Sequence, residues 1–244
     1  MAKPQLFLLH FAGGNCYSYK EMSVLLEDFE VISLELPGRG RRMDEALIKD
    51  FELAAADLYQ QLISRLNSGR FAIYGHSMGA ILALKVTELL EKAGKIPVCL
   101  FVSGNPGPGI KENRRRYKLS SDAFIEELKL LGGLPDLFLS NKELMDFFEP
   151  ILRADFEIAE ENGLKEGISV SCPLFAMMGI DEEHAEDISN WSSFTGSVFN
   201  CEVLEGGHFF ILDHCQRIAD IIKHNFDIHD LTTQNGHNHK QFSK

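Results

Sequence analysis

The segment GHSMG at 75–79 is the part of the chain best suited to covalent chemistry. It follows the apolar run FAIY and precedes the helical run AILALKVTELL. Between a strand and a helix, the pattern G-x-S-x-G is typical of a nucleophile elbow, a tight turn that exposes a serine hydroxyl. The N–H groups at the start of the helix favour the anion that forms when a serine attacks a carbonyl carbon. The pattern therefore predicts Ser77 as a nucleophile.

A serine hydroxyl is a weak nucleophile until a base accepts its proton, and His208 is the histidine best placed to be that base. In enzymes with this elbow, the chain order is serine, acid, histidine. His208 lies in EGGHFFIL, directly after the apolar run CEVLE. His214 and His224 fit the helix that follows, and the remaining histidines are out of order or badly placed.

The third residue should be a carboxylate that orients the imidazole and stabilises its protonated form. The loop after the run PLFAMM reads GIDEEHAED, and Asp181 is its first acid. We expect Asp181 to be the partner of His208, with Glu182, Glu183 and Asp187 as alternatives.

Two backbone N–H groups must bind the oxyanion of the tetrahedral intermediate. The N–H of Met78, the residue after the nucleophile, is the first donor. The second should come from the loop HFAGG at 10–14, where two glycines allow close approach to a substrate. We assign it to Ala12, with Phe11 as the alternative. The loop lacks the phosphate-binding patterns of nucleotide sites, and we predict no cofactor and no metal.

Short apolar runs alternate with longer amphipathic segments along the chain, which is typical of a parallel sheet covered by helices on both faces. The predicted strands are 5–10, 30–35, 71–75, 98–103, 173–178 and 198–204. The predicted helices are 17–29, 50–67, 78–93, 186–191 and 214–226. We expect one α/β domain over residues 1–228 and a polar, disordered tail over 229–244.

The segment 106–167 interrupts this alternation with two helical patterns, 121–131 and 141–161. A helical insert at a strand end is typical of a lid over a substrate pocket, and a peripheral hairpin is the alternative. The predicted pocket residues are Phe124, Leu128, Leu131, Phe147, Phe148, Leu152 and Phe156. Helix-to-core packing is the alternative role for each of them.

The composition indicates which classes of partner and which cellular compartment are compatible with the chain. With 24 Lys and Arg against 36 Asp and Glu, the formal net charge is −12, which disfavours nucleic acid and anionic membranes. The five scattered cysteines indicate a reducing compartment. The apolar start of the chain is too short for a signal peptide, and no apolar run is long enough to cross a membrane. We expect a soluble, cytoplasmic monomer.

Several segments resemble the type II thioesterases that accompany nonribosomal peptide and polyketide synthases, members of the α/β-hydrolase superfamily. The similarity extends over residues 5–226. The matching segments are AGG (12–14), LPGRGRR (36–42), YGHSMGA (74–80), SGNPGPG (103–109), LRADF (152–156) and GGHFFI (206–211). LPGRGRR and LRADF are the most specific, because hydrolases in general lack them.

The resemblance implies an α/β-hydrolase fold with a mostly parallel sheet, a helical lid and a triad of Ser77, Asp181 and His208. The acidic segment is about one residue shorter than the family's usual spacing, which keeps Glu182 as an alternative acid. The implied reaction is hydrolysis of acyl thioesters on the phosphopantetheine arm of acyl or peptidyl carrier proteins. A general carboxylesterase, a medium-chain thioesterase of fatty acid synthesis and a non-catalytic binding protein are the alternatives.

Carrier domains are usually acidic, so an acidic enzyme needs a local basic contact to bind one. The cluster Arg114, Arg115 and Arg116 beside the lid is the candidate for that contact. A solvated surface run is its alternative interpretation.

Overall fold

The structure, a computed structural model, describes residues 2–110, 114–134, 136–164 and 167–241 of the 244-residue chain. Its centre is a six-stranded sheet with the order β2-β1-β3-β4-β5-β6, in which every neighbouring pair is parallel. The strands are β1 (Gln5–Leu9), β2 (Glu30–Leu34), β3 (Phe71–His76), β4 (Cys99–Ser103), β5 (Leu174–Gly179) and β6 (Phe199–Leu204).

The strand order reverses its direction between β1 and β3, because β2 lies on one side of β1 and all later strands lie on the other. In parallel sheets, ligands bind beyond the carboxyl ends of the strands at such a switch point. The loop after β1 and the turn after β3 meet at this point.

Eight helices are present in the described residues, together with 3₁₀ segments at Gly40–Arg42, Arg116–Lys118 and Ala185–Phe194. The helices are α1 (Lys20–Leu25), α2 (Phe51–Arg65), α3 (Met78–Lys92), α4 (Ser121–Leu131), α5 (Asp136–Leu139), α6 (Lys142–Glu160), α7 (Phe210–Asp213) and α8 (Cys215–Gln241). Side-chain oxygens cap three of them, from Asp50 at α2, Ser120 at α4 and Asn141 at α6. The sequence missed α5 and α7, which have only four residues each.

The sheet is buried on both faces because its side chains alternate between two apolar layers. In β1, Phe7 and Leu9 pack in the layer that contains α2 and α3, while Leu6 and Leu8 pack in the layer that contains α1 and α8. The predicted parallel sheet with helices on both faces is confirmed.

The insert between β4 and β5 has an apolar cluster of its own, formed by α4, α5 and α6. Helix α6 also packs against α2 and α3, which ties the insert to the body of the molecule. Insert residues, among them Leu128 and Leu152, border the same cavity as Ser77, which directly follows β3.

The C-terminal region differs from the sequence-based expectation of a disordered tail, because α8 continues to Gln241. Its first half is anchored by Ile218, Ile222 and Phe226 in the core, and extending an anchored helix costs far less than starting a new one. The buried Asp230 forms an ion pair with Arg70 (2.7 Å), so packing extends past the predicted boundary at residue 228.

None of the described helices has both the length and the hydropathy of a membrane-spanning segment. All five cysteines are free thiols.

Candidate active site

Ser77 lies in the tight turn between β3 and α3. Its backbone has φ 57° and ψ −117°, a conformation that residues other than glycine rarely adopt. The Ser77 N–H donates to the carbonyl of Ser103 at the end of β4 (2.7 Å), which fixes the turn to the neighbouring strand. This is the strained strand-to-helix turn that the G-x-S-x-G pattern predicts.

Two glycines allow the chain to make this turn. A Cβ atom at Gly75 would lie 2.0 Å from the carbonyl oxygen of Gly79, and a Cβ atom at Gly79 would lie 2.3 Å from the carbonyl oxygen of Leu9. Both distances are far shorter than any Cβ contact that proteins tolerate. The start of α3 therefore touches the end of β1, and Ser77 lies beside the loop that follows β1.

His208 lies in the turn after β6 and connects the serine to an acid. Its Nε2 is 3.0 Å from Ser77 Oγ, and its Nδ1 is 2.6 Å from Glu182 Oε2. The Glu182 side chain is 6% exposed and the His208 side chain 19%. In this chain of contacts the imidazole can accept the hydroxyl proton while the carboxylate stabilises the imidazolium that forms.

The acid in contact with His208 is Glu182, which corrects the assignment of Asp181. The Asp181 N–H donates to the Gly206 carbonyl, so the chain still runs beside the segment after β6 and leaves the Asp181 side chain exposed. A tight turn then closes, in which the Glu182 N–H donates to the Gly179 carbonyl. The Gly179 N–H donates back to Glu182 Oε1 (2.7 Å), and this second contact leaves Oε2 facing the imidazole.

The two other candidate acids of this loop, Glu183 and Asp187, have other partners. Glu183 forms an ion pair with Arg114 (3.0 Å), and Asp187 contacts the His184 ring (3.0 Å). Neither contact involves His208.

His76 packs against the active-site histidine, a contact that sequence reasoning missed. The ring centroids of His76 and His208 lie 5.0 Å apart, and His76 Nδ1 is 2.9 Å from Ser103 Oγ. Burial holds the pKa of His76 well below its ordinary value, and the nearby His208 acts in the same direction. His76 is therefore neutral at neutral pH. Its position next to Ser77 in the sequence was the available signal.

The two proposed oxyanion donors border the same space as the serine. Met78 is buried at the start of α3, Ala12 lies in the loop after β1, and both line a cavity with Ser77. Phe11, the alternative to Ala12, also lines this cavity and packs edge-on against Phe209 (5.1 Å between centroids).

The cavity has a volume of about 820 Å³ and opens over Ser77 and His208. This volume is within the range of about 300–1,000 Å³ for small-molecule sites. Its apolar wall includes Ile81, Leu128, Leu131, Leu152 and Phe156, and its polar wall includes Arg114, Glu127, Glu160 and Glu183. The helical insert between β4 and β5 supplies most of both walls.

The predicted lid residues divide into two groups. Those that line the cavity are Leu128, Leu131, Leu152 and Phe156. Phe124 does not line it, because this fully buried ring packs between Phe156 (5.5 Å) and the Arg153 guanidinium (4.5 Å). Phe148 packs against Phe138 (5.2 Å) within the lid, and Phe147 packs on Phe148. None of these three rings lines the cavity; Phe124 and Phe148 pack within the insert, and Phe147 is half exposed.

The basic cluster at 114–116 is paired with acids. Arg115 contacts Glu161 (3.1 Å), and the nearly buried Arg116 contacts Glu160 (3.2 Å). With Arg114 paired to Glu183, every arginine of the cluster has a carboxylate partner. The Arg115 and Arg116 contacts lie within the insert, and the Arg114 contact joins it to the loop after β5. Together they leave little net positive charge for an acidic partner.

The chain matches the family model for the thioesterase domain over residues 4–226. It belongs to the thioesterase family. The thioesterase is 30% identical to the thioesterase PikA5 of Streptomyces venezuelae over 218 residues, which cover 88% of this chain and 78% of PikA5.

Two solved structures are similar over nearly the whole thioesterase. BorB, a type II thioesterase from the borrelidin biosynthetic cluster, has 30% identity and a TM-score of 0.84, with 92% of this chain and 93% of BorB covered. ClbQ, from the colibactin NRPS/PKS pathway, has 27% identity and a TM-score of 0.87, with 95% and 100% covered. The predicted resemblance, the α/β-hydrolase fold and the assignment as a thioester-cleaving enzyme are confirmed.

Proposed function

We propose that this thioesterase hydrolyses acyl thioesters on the phosphopantetheine arm of carrier proteins, with Ser77 as nucleophile, His208 as base and Glu182 as the acid. The observation that carries this proposal is the unbroken relay of 2.6 Å and 3.0 Å contacts at the base of the 820 Å³ cavity. Editing of stalled intermediates and release of finished acyl groups both use this reaction.

In the first half of the reaction, His208 accepts the Ser77 proton while Ser77 Oγ attacks the thioester carbonyl carbon. The N–H groups of Met78 and Ala12 bind the oxyanion, and Glu182 stabilises the imidazolium. Collapse of the intermediate breaks the C–S bond and leaves an acyl-serine. The imidazolium returns its proton to the departing sulfur.

In the second half, His208 takes a proton from water as the water attacks the acyl-serine. The carboxylic acid product leaves when His208 returns that proton to Ser77. A thiol has a pKa of about 8.5, far below that of an alcohol, so the leaving sulfur needs little help from an acid. The relay therefore suffices for a thioester without a second proton donor.

The carrier-bound substrate is supported by the family and by the cavity. The matched BorB and ClbQ come from a biosynthetic cluster and an NRPS/PKS pathway. A cavity with apolar and polar walls can take an acyl chain on one side and the amide-containing arm on the other. The arm reaches into the enzyme from outside, so only a small part of the carrier needs to touch the acidic surface.

We also propose that the enzyme acts as a monomer in a reducing compartment such as the cytoplasm. The residues of the relay all come from one chain, and all five cysteines are free thiols. Light scattering after size-exclusion chromatography tests the monomer.

The decisive experiment follows the acyl load of carrier proteins by mass spectrometry before and after the enzyme is added, with a panel of acyl groups. Wild type should unload them, and Ser77→Ala should be slower by about 10³- to 10⁶-fold. Ser192→Ala, at an exposed serine, is the control and should match wild type.

Parallel assays separate the alternatives. Faster cleavage of an oxygen ester than of the matching thioester would indicate a general carboxylesterase. A strong preference for medium-length fatty acyl groups over all others would indicate a fatty acid synthesis enzyme. Failure of a fluorophosphonate probe to label folded wild type would indicate a non-catalytic binding protein.

A further inference from the structure

A buried ion pair joins the two most specific segments of the sequence. Arg39, in LPGRGRR, and Asp155, in LRADF, have side chains that are 4% and 0% exposed. Arg39 Nη2 donates to Asp155 Oδ1 (2.8 Å), and Arg39 Nη1 donates to Oδ2. Removing two charges from water is costly, and well-packed apolar residues of similar size often stabilise a fold as well or better. Stability alone therefore gives no reason for a charged pair at this place.

The same carboxylate holds the loop at 10–14, here termed the oxyanion loop. The Gly13 N–H donates to Asp155 Oδ2 (2.7 Å). The peptide group between Ala12 and Gly13 is planar, so fixing the Gly13 nitrogen also fixes the carbonyl and Cα of Ala12. Ala12 supplies the second oxyanion donor of the proposed mechanism.

Leu152, a second residue of α6, packs closely against Gly13 in the same loop. Gly13 has φ +76°, and a Cβ atom there would lie 2.5 Å from Leu152 Cδ2. Leu152 and Asp155 are three positions apart and so share one face of α6. This face supplies both the cavity wall at Leu152 and the acceptor for the oxyanion loop.

The start of the loop is fixed to the segment that carries Arg39. The His10 Nδ1–H donates to the Phe11 carbonyl (2.8 Å), and His10 Nε2 accepts from the Leu36 N–H (3.3 Å). The oxyanion loop is therefore held by α6 on one side and by residues 36–39 on the other. The Arg39–Asp155 ion pair joins these two supports directly.

We propose that Asp155, held by Arg39, is a positioning residue that fixes the oxyanion loop to the lid helix α6, so that lid and oxyanion donor move as one unit. Neither side chain touches the reacting atoms. The inference rests on the proposed function, because it gives Ala12 a role in binding the oxyanion.

The test separates positioning from stability with two variants and a control. Asp155→Asn removes the charge and weakens the Gly13 contact. The double variant Arg39→Met, Asp155→Leu removes both charges and the Gly13 acceptor, and leaves no unpaired buried charge. Asp230→Asn breaks a half-buried ion pair with Arg70, which directly precedes β3 at the amino end of the strands, and serves as the control.

Three quantities are measured for each variant: kcat and KM on a small soluble thioester, Ki for an alkyl trifluoromethyl ketone, and urea unfolding. Ser77 adds to the ketone to give a hemiketal whose oxygen occupies the oxyanion position. We expect kcat and the affinity for the ketone to fall together by about 10- to 100-fold in both Asp155 variants, with KM nearly unchanged. Asp230→Asn should lose stability and keep the kcat and Ki of wild type.

A folded double variant with the kcat and Ki of wild type would overturn the proposal, and so would equal losses of activity in Asp230→Asn. The rate of labelling by a fluorophosphonate distinguishes this inference from the proposed function. If wild type labels but cleaves no thioester, the proposed substrate fails, and slower labelling of Asp155→Asn still supports positioning. If wild type does neither, both proposals fail.

Discussion

Two loops meet at the carboxyl edge of the sheet, and they are held in place by different means. The acid loop, residues 179–184, fixes Glu182 through contacts with Gly179, only three positions away, and through pairing with the segment after β6. The oxyanion loop is fixed by Asp155, 142 positions away on the lid helix α6. The relay from Glu182 to Ser77 is therefore positioned by the sheet, while the proposed oxyanion donor is positioned by both the sheet and the helical insert.

This difference predicts how each part responds to change. Substitutions in the lid should alter the binding of the oxyanion before they alter the relay from Glu182 to Ser77. Substitutions in the acid loop should act directly on the relay.

The largest expected effect is that of Glu182→Gln. The amide keeps the size of the side chain but no longer stabilises the imidazolium or enforces its tautomer, and we expect kcat to fall by about 10⁴-fold. Asp181→Asn is the matched control, because its side chain is exposed, and its kcat should stay within about twofold of wild type. Steady-state kinetics on a soluble thioester measure both. The opposite ranking would restore Asp181 as the acid and contradict the local geometry.

The next effect concerns His10, at the start of the oxyanion loop. Burial lowers the pKa of His10 to about 4, the Arg39 charge adds to this, and the carboxylates of Asp155 and Glu35 oppose it. His10 takes up a proton near pH 6.5 in the unfolded chain but stays neutral there in the folded chain. Its contribution to the free energy of unfolding is therefore complete above pH 6.5. It is lost as the pH falls toward 4, by about 2–3 kcal/mol.

His10→Gln cannot titrate, so its free energy of unfolding should fall less than that of wild type between pH 7 and pH 4.5, by about 2 kcal/mol. Urea unfolding of both proteins at the two pH values measures the difference. His76 contributes a pH dependence of the same sign in both proteins, which the comparison cancels. Equal pH dependence would mean that folding does not lower the pKa of His10.

The two loops also differ in how well the sequence predicted them. The strands, the elbow and the histidine turn follow from local patterns, and their positions agree with the structure to within one or two residues. The choice between Asp181 and Glu182 depends on where the chain stops pairing with the segment after β6 and turns toward His208. The residue types in this acidic loop do not indicate where that turn occurs. The Arg39–Asp155 contact joins segments 116 positions apart, so the sequence marked both segments as specific without indicating that they touch.

A steric change at the oxyanion loop should have a smaller effect on activity than the loss of the acid. Gly13→Ala introduces a Cβ atom 2.5 Å from Leu152 Cδ2 and should push the loop away from α6. We expect kcat to fall by about 10- to 100-fold, as for a displaced oxyanion donor. Gly94→Ala is the matched control, because Gly94 has a similar φ of +72° and open space around it.

Both alanines should destabilise the fold by about 1–2 kcal/mol through the left-handed backbone alone. Only Gly13→Ala should also lower kcat, and adding Leu152→Ala should recover part of the loss by removing the clash. Urea unfolding and kinetics on the same preparations separate the two effects. Equal kcat in the two single variants would mean that the loop does not depend on α6.

The smallest expected effect tests whether the acid loop is independent of the lid. Arg114 and Glu183 form an ion pair between the lid insert and the acid loop, next to Glu182, and their side chains are 47% and 51% exposed. Exposed pairs of this kind contribute little, because water and salt screen them and ordering two long side chains costs entropy. We therefore expect Arg114→Ala to change kcat on a soluble thioester by less than about twofold. A fall comparable to that of Asp155→Asn would show that the lid positions the acid as well as the oxyanion loop, and the contrast between the two loops would disappear.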